Sequence, residues 1–187
     1  QALLDEGVQR ATAAVAEKNP EMPAAEQAAV GQMVGIGAIK YADLSTDRVK
    51  DYVFDWDRML AFEGNTAPYQ QYAHARICSI FRRAGVERSS VRSAAVSLGE
   101  PQERTLTLAL LQFDAVVHDP LGKFAPHRLC TYLFDLAQAF TAFYEACPVL
   151  KDGYEATRES RLALCDTTAG VLQLGLSLLG IDAPERM

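Results

Sequence analysis

Apolar residues recur every three to four positions along three stretches of this 187-residue chain, and that rhythm restricts the fold more than any other feature. Leu106, Leu110, Phe113 and Val117 form the first stripe, on a helix expected over residues 102–118. Leu129, Leu133, Leu136, Phe140, Phe143 and Cys147 form the second, over 127–147. The third, over 155–180, carries Leu162, Cys165, Ala169, Leu172, Leu176 and Leu179. Such one-sided helices are stable only when their apolar faces cover one another, so a helical bundle is expected. A further helix spans 68–84, with Pro68 suited to its first turn, and Gly180 and Pro184 close the last one.

Residues 1–50 also read as helical, in two segments split at Asn19-Pro20 and Met22-Pro23. The first runs from about Ala2 to Glu17, and the second starts near Ala24 with Val30, Met33, Val34 and Ala38 on one face. Gly31, Gly35 and Gly37 lie inside it, each costing about 1 kcal/mol against alanine, so a second helix is expected close to that face. A phosphate loop is the alternative, but no strand precedes these glycines and no Lys-Ser pair follows. Asp51–Asp55 (DYVFD) alternates as a short strand would, and Asp55 can cap a short helix through Met59 and Phe62. The expected fold is therefore mainly α: a helical bundle preceded by a helical segment and one short strand.

Composition removes several classes of function. No apolar run reaches the roughly 18–20 residues of a membrane span, and QALLDEGVQR has neither the basic flank nor the apolar block of a signal peptide. Four cysteines without CxxC pairing suggest a reducing compartment rather than a disulfide scaffold. The three histidines and the cysteines lack metal-ligand spacing. His74 and Cys78, four apart, read as a polar surface histidine beside a half-buried thiol. Asp55 and Asp57 sit two apart, which points them to different sides in strand or helix, a poor arrangement for acid–base work. No histidine is near Ser89, Ser90, Ser93 and Ser97 in sequence, and catalysis is not indicated.

Charge is more informative. Between Tyr72 and Arg92 lie Arg76, Arg82, Arg83, Arg88 and Arg92 against Glu87 alone, a local +4 that leaves −10 for the rest of a chain with net charge −6. At 100° per residue Tyr69, Tyr72, Arg76 and Arg83 fall within about 60° of one another. They form an edge beside the apolar face made by Ala73, Ile77, Ile80, Phe81 and Ala84. Tyrosine faces stack on unpaired bases for about 1–3 kcal/mol each, and arginines meet phosphates, so the edge suits single-stranded RNA in a loop. Tyrosines that merely cap the bundle core, or a helical module docking an acidic protein partner, are the alternatives.

Four segments, VGIGAIKYADLS (Val34–Ser45), DYVFDWDRMLAFEGNTAPYQQYAHARI (Asp51–Ile77), HRLCTYLFDLAQAFTAFYEACPVL (His127–Leu150) and LLGIDAPERM (Leu178–Met187), resemble the C-terminal half of the arginyl-tRNA synthetase family. The resemblance implies a class I synthetase whose HIGH and KMSKS-type signatures lie upstream; neither is present here, and Gln1 in place of a methionine agrees with a start just after the KMSKS-type loop. It implies that residues 1–66 are the tail of the catalytic half, beside the tRNA stem, and that 67–187 are the α-helical anticodon-binding domain. The implied partners are the anticodon arm of arginine tRNA and the catalytic domain of the same protein, in a cytoplasmic monomer. No cofactor is implied for this stretch, while the parent enzyme would use ATP, magnesium and arginine. Residue by residue, the family spacing Tyr-x-x-Tyr-x-x-x-Arg falls on Tyr69, Tyr72 and Arg76, and family positions near the anticodon fall on Tyr144 and Met187. Arg83 and Arg88 come from charge alone; phosphate contact and plain hydration are both open to them.

Overall fold

The computed structural model describes residues 1–118 and 125–187 in full, and the helical backbone of 119–121. The described helices are α1 (Ala2–Lys18), α2 (Ala24–Leu44), α3 (Trp56–Met59), α4 (Ala67–Ala84), α5 (Pro101–Leu111), α6 (Phe113–Leu121), α7 (Pro126–Ala146) and α8 (Glu155–Leu178), with a 3-10 turn at Arg88–Val91. α1 and α2 form an antiparallel hairpin whose backbones touch. A Cβ on Gly31 would stand 2.6 Å from the Thr12 Cα, and one on Gly35 2.6 Å from the Gly7 carbonyl oxygen. The glycines of α2 therefore permit close helix approach, and Ala11, Val15, Val30 and Val34 close a small core around it.

The second and larger core belongs to α4, α5, α7 and α8. Leu106, Leu133, Leu136, Phe140, Phe143, Cys165, Ala169, Leu172 and Leu176 are fully enclosed there, so the sequence stripes are its lining. Tyr41 of α2 reaches into it, its hydroxyl donating to the Cys130 carbonyl of α7 at 2.8 Å and accepting from Gln70 Nε2 of α4. Glu103 of α5 pairs with Arg161 of α8 at 2.7 Å, both side chains being under 5% exposed. Arg161 also donates to the Pro148 carbonyl, which ties the α7–α8 connection to the same pair.

Local capping follows the sequence. Asp55 accepts from the Asp57 and Arg58 amides to start α3, and Thr66 Oγ1 accepts from the Tyr69 amide to start α4. Gly85 ends α4 with φ +64°, a left-handed cap open to glycine at no steric cost.

Three expectations fail, the smallest being the helix capped by Asp55, which ends at Met59 and does not reach Phe62. The strand at Asp51–Asp55 is not formed: the segment is unpaired, and Tyr52, Val53 and Phe54 are all substantially exposed. An isolated alternating run has no neighbouring strand to complete its hydrogen bonds and no sheet face to bury. The single helix over 102–118 is two helices, broken at Gln112. There the Ala109 carbonyl accepts from the Gln112 amide in a tightened turn and from the Tyr132 hydroxyl of α7 at 3.0 Å. That tertiary bond takes up a carbonyl at the break, while Phe113 turns onto the Tyr132 ring at 5.8 Å.

Candidate nucleic-acid interface

α4 carries the site because one of its edges stays outside the core. Ala73, Ile77, Ile80 and Phe81 turn inward, which leaves Tyr72 44% exposed and Arg76 half-buried. Tyr72 meets the ring of Phe62 edge-on at 6.5 Å between centroids. Phe62 comes from the turn before α4, and the Lys18 ammonium at the end of α1 lies 3.8 Å from its ring centroid. Val15, Lys18, Asn19, Phe62, Tyr72 and Met187 together line an open cleft of about 440 Å³. That volume is in the range of small-ligand clefts.

One turn along α4, the Arg76 guanidinium lies over the Tyr144 ring of α7, 4.4 Å from its centroid. Tyr144 is backed in turn by Phe140 at 6.0 Å. The pair presents a planar cation and an aromatic face at one place, a combination that can stack a base and meet a phosphate. Tyr69 differs from its neighbours on this edge: it is half-buried and tilts onto Phe134 at 5.6 Å, against the bundle core. Arg83 is exposed and continues the line of Arg76, about 10 Å further along the helix at 1.5 Å per residue. The structure thus gathers Tyr72 with Met187, and Arg76 with Tyr144, while Tyr69 leans inward and Arg83 stands apart.

The basic patch divides by partner. Arg88 Nε donates to Asp166 of α8 at 2.6 Å, and Arg92 reaches the other oxygen of that carboxylate at 3.3 Å. Arg88, left open between phosphate contact and plain hydration, is thus engaged by a carboxylate and holds the 3-10 turn against α8. Arg82 donates to the Glu185 carbonyl at 2.9 Å. The reading of His74 also changes. It is fully buried, not on the surface, and its Nδ1–H donates to the Pro184 carbonyl at 3.0 Å. Burial, the larger influence, holds its pKa below the ordinary 6.5 although the Pro184 bond acts the other way. Cys78 Sγ lies 3.7 Å from the other ring nitrogen and is itself buried. Helical periodicity places His74 correctly on α4; what it misses is the returning tail that covers this side.

Phe62 and Lys18 are the cleft residues that sequence reasoning missed as binding groups. Phe62 had a signal, an aromatic directly before the Gly64-Asn65 turn that opens α4. Lys18 had none, because its place opposite Phe62 depends on the α1–α2 hairpin returning beside α4. Burial raises the pKa of all four cysteine thiols, Cys130 to about 12, so none is poised as a thiolate near neutral pH. Among the described residues no three His, Cys, Asp or Glu side chains converge to hold a metal ion, and no helix is long and apolar enough to cross a membrane.

Residues 70–187 match the DALR anticodon binding domain family, and residues 1–56 match the catalytic domain of class I (R) tRNA synthetases. The chain is 56% identical over 186 residues to the arginine–tRNA ligase of Thermobifida fusca, covering all of this chain and 32% of that protein. It is 52% identical over 185 residues to the arginine–tRNA ligase of Enterobacter sp. strain 638, covering 99% of this chain and 32% of the relative. The chain thus spans about a third of the length of the curated relatives it matches. Among solved structures, the Thermus thermophilus arginyl-tRNA synthetase superposes with TM-score 0.90 at 40% identity, over the whole of this chain and 32% of that one. The Plasmodium falciparum arginyl-tRNA synthetase gives 0.89 at 34% identity, over the whole chain and 33% of its counterpart. With more than half its residues matched, and with the bundle and aromatic edge described above, the chain belongs to the DALR anticodon-binding domain family in the form that arginyl-tRNA synthetases carry.

Proposed function

We propose that this chain grips the anticodon arm of arginine tRNA as the C-terminal part of an arginine–tRNA ligase. The observation that carries the proposal is the α4 edge, where an open cleft between Tyr72 and Met187 adjoins the Arg76–Tyr144 stack. An anticodon base, already unstacked in its loop, enters the cleft and lies against Tyr72, while the terminal Met187 closes the far wall. Tyr144 offers a second aromatic face, held flat under Arg76. Arg76 and Arg83 meet the phosphates on either side, and Tyr69 supports the edge from within rather than touching RNA. Specificity arises because only a loop with splayed bases can bring a base edge into the cleft, and backbone groups then read it.

In this reading residues 1–66 close the catalytic half beside the tRNA stem and 67–187 form the anticodon-binding unit, a division supported by the two family matches. ATP, magnesium and arginine act in the upstream catalytic domain of the parent enzyme, a cytoplasmic monomer. The HIGH and KMSKS-type signatures are not in these residues, which span about a third of the relatives' length, so the chain alone is expected to have no ligase activity. The test is a fluorescence titration with the anticodon stem-loop of arginine tRNA. Tyr72→Ala combined with Arg76→Ala removes a stacking face worth about 1–3 kcal/mol, so affinity falls at least about 5- to 150-fold. A charge-matched change on α5, at the exposed Arg104 (Arg104→Ala), leaves it unchanged. Equal binding by all three proteins would overturn the assignment.

A further inference from the structure

Residues 181–187, after α8, have no regular secondary structure, yet they lie in a defined path along α4 and α2. What fixes that path is a row of side chains on α4. Gln71, His74 and Arg82 fall within about 80° of one another, roughly 135° around the helix from the Tyr72–Arg76 edge. Each addresses a main-chain carbonyl of the tail: Gln71 Nε2 donates to Asp182 at 2.7 Å, His74 Nδ1 to Pro184 at 3.0 Å and Arg82 Nη1 to Glu185 at 2.9 Å. Gln71 and His74 are fully buried, and Gln71 also donates to the Met33 carbonyl of α2 at 3.2 Å. Arg186 then pairs with Glu26 at 3.5 Å, and Met187 enters the cleft beside Tyr72.

One helix therefore does two things: its outer edge lines the cleft, and its other side sets where the opposite wall stands. We propose that His74, assisted by Gln71 and Arg82, is a positioning residue for Met187, fixing the width of the base-binding cleft through the Pro184 carbonyl. The bonds go to backbone carbonyls, so they specify the course of the tail and not its side chains. His74 lies two residues before the cation–π partner Arg76 and two after Tyr72, so any tilt of α4 moves both walls together. Its consequence for RNA rests on the anticodon reading above; its geometric content does not.

The test follows the Met187 methyl group by NMR in the whole chain, with selectively labelled methionine, alongside titration of the anticodon stem-loop. In the native protein Met187 lines the same cleft as the rings of Phe62 and Tyr72. In His74→Ala and, in part, in the exposed-site variant Arg82→Gln, its resonance moves toward that of free methionine while the circular dichroism stays native. His74→Ala and Met187→Ala each weaken RNA binding by a similar factor, and the double variant is no weaker than either. An unmoved methyl in both variants, or losses that multiply in the double variant, overturns the proposal. If His74→Ala does not fold, the methyl shift in Arg82→Gln decides. If the methyl responds but no form of the protein binds the stem-loop, the positioning role stands and the anticodon reading falls.

Discussion

The arginines around α4 are alike in sequence and unlike in partner, and a salt titration separates them. Arg83 is exposed on the edge proposed to meet RNA, whereas Arg88 is committed to Asp166 at 2.6 Å, with side chains only 24% and 9% exposed. Each phosphate neutralised on single-stranded RNA contributes about 0.7 to the slope of log affinity against log salt. Arg83→Gln is therefore expected to reduce the magnitude of that slope by about 0.7 with no change in thermal stability. Arg88→Gln leaves the slope alone and destabilises the protein instead. It strands a carboxylate whose remaining guanidinium, that of Arg92, is 68% exposed and 3.3 Å away. Leaving a mostly buried charged group short of its partner costs about 1–3 kcal/mol. For a chain of this size that lowers Tm by about 2–12 °C, taking roughly 2–4 °C for each kcal/mol. The assay is a stem-loop titration at four salt concentrations for each variant, with a thermal melt beside it. If Arg88→Gln lowers the slope as much as Arg83→Gln and melts like the native protein, the division of the patch is wrong.

Two further outcomes follow from the packing. Glu103→Gln leaves the buried Arg161 guanidinium without its counter-charge, a loss of about 3–5 kcal/mol in chemical denaturation, while Glu103→Gln with Arg161→Met recovers part of it. Losses that simply add would contradict a coupled pair. His74, whose pKa is lowered by burial, binds its proton more readily unfolded than folded, so stability is complete above about pH 6.5 and declines as pH falls from there toward the folded-state value. Arg88 and Glu185 are the charged groups acting on it, and Cys78 is its thiol neighbour. The difference in unfolding free energy between the native chain and His74→Asn is expected to shrink over that window; a pH-independent difference would show that His74 is not the titrating group.

The sequence stripes located α7 and α8 and most of their large core side chains, though not Tyr132 or Leu164, because burial on one helix face leaves a periodic trace. The glycines of α2 likewise betrayed a close helix contact before its partner was known. Tertiary decisions left no such trace. The break at Gln112 depends on a tyrosine 20 residues later, and DYVFD alternates without any strand to pair with. At the site, the shared edge of Tyr72 and Arg76 was legible from the helix angle alone. The inward lean of Tyr69 was not, because Phe134 is brought to it by the bundle. His74 was misread, and the partner of Arg88 went unseen, for one reason: each is held by a segment far along the chain, the tail and α8 respectively. Spacing reports neighbours on the same helix and is silent about what folds back over it.

The central claim is that one unpaired base of an anticodon loop rests against Tyr72. It is tested most directly by placing 2-aminopurine at each loop position of the arginine tRNA stem-loop in turn and titrating with this chain. One anticodon position, or two adjacent ones, is expected to change fluorescence sharply on binding, with the response lost in Tyr72→Ala and absent from a stem position. A response spread evenly over the loop, or one that survives Tyr72→Ala unchanged, would contradict the account.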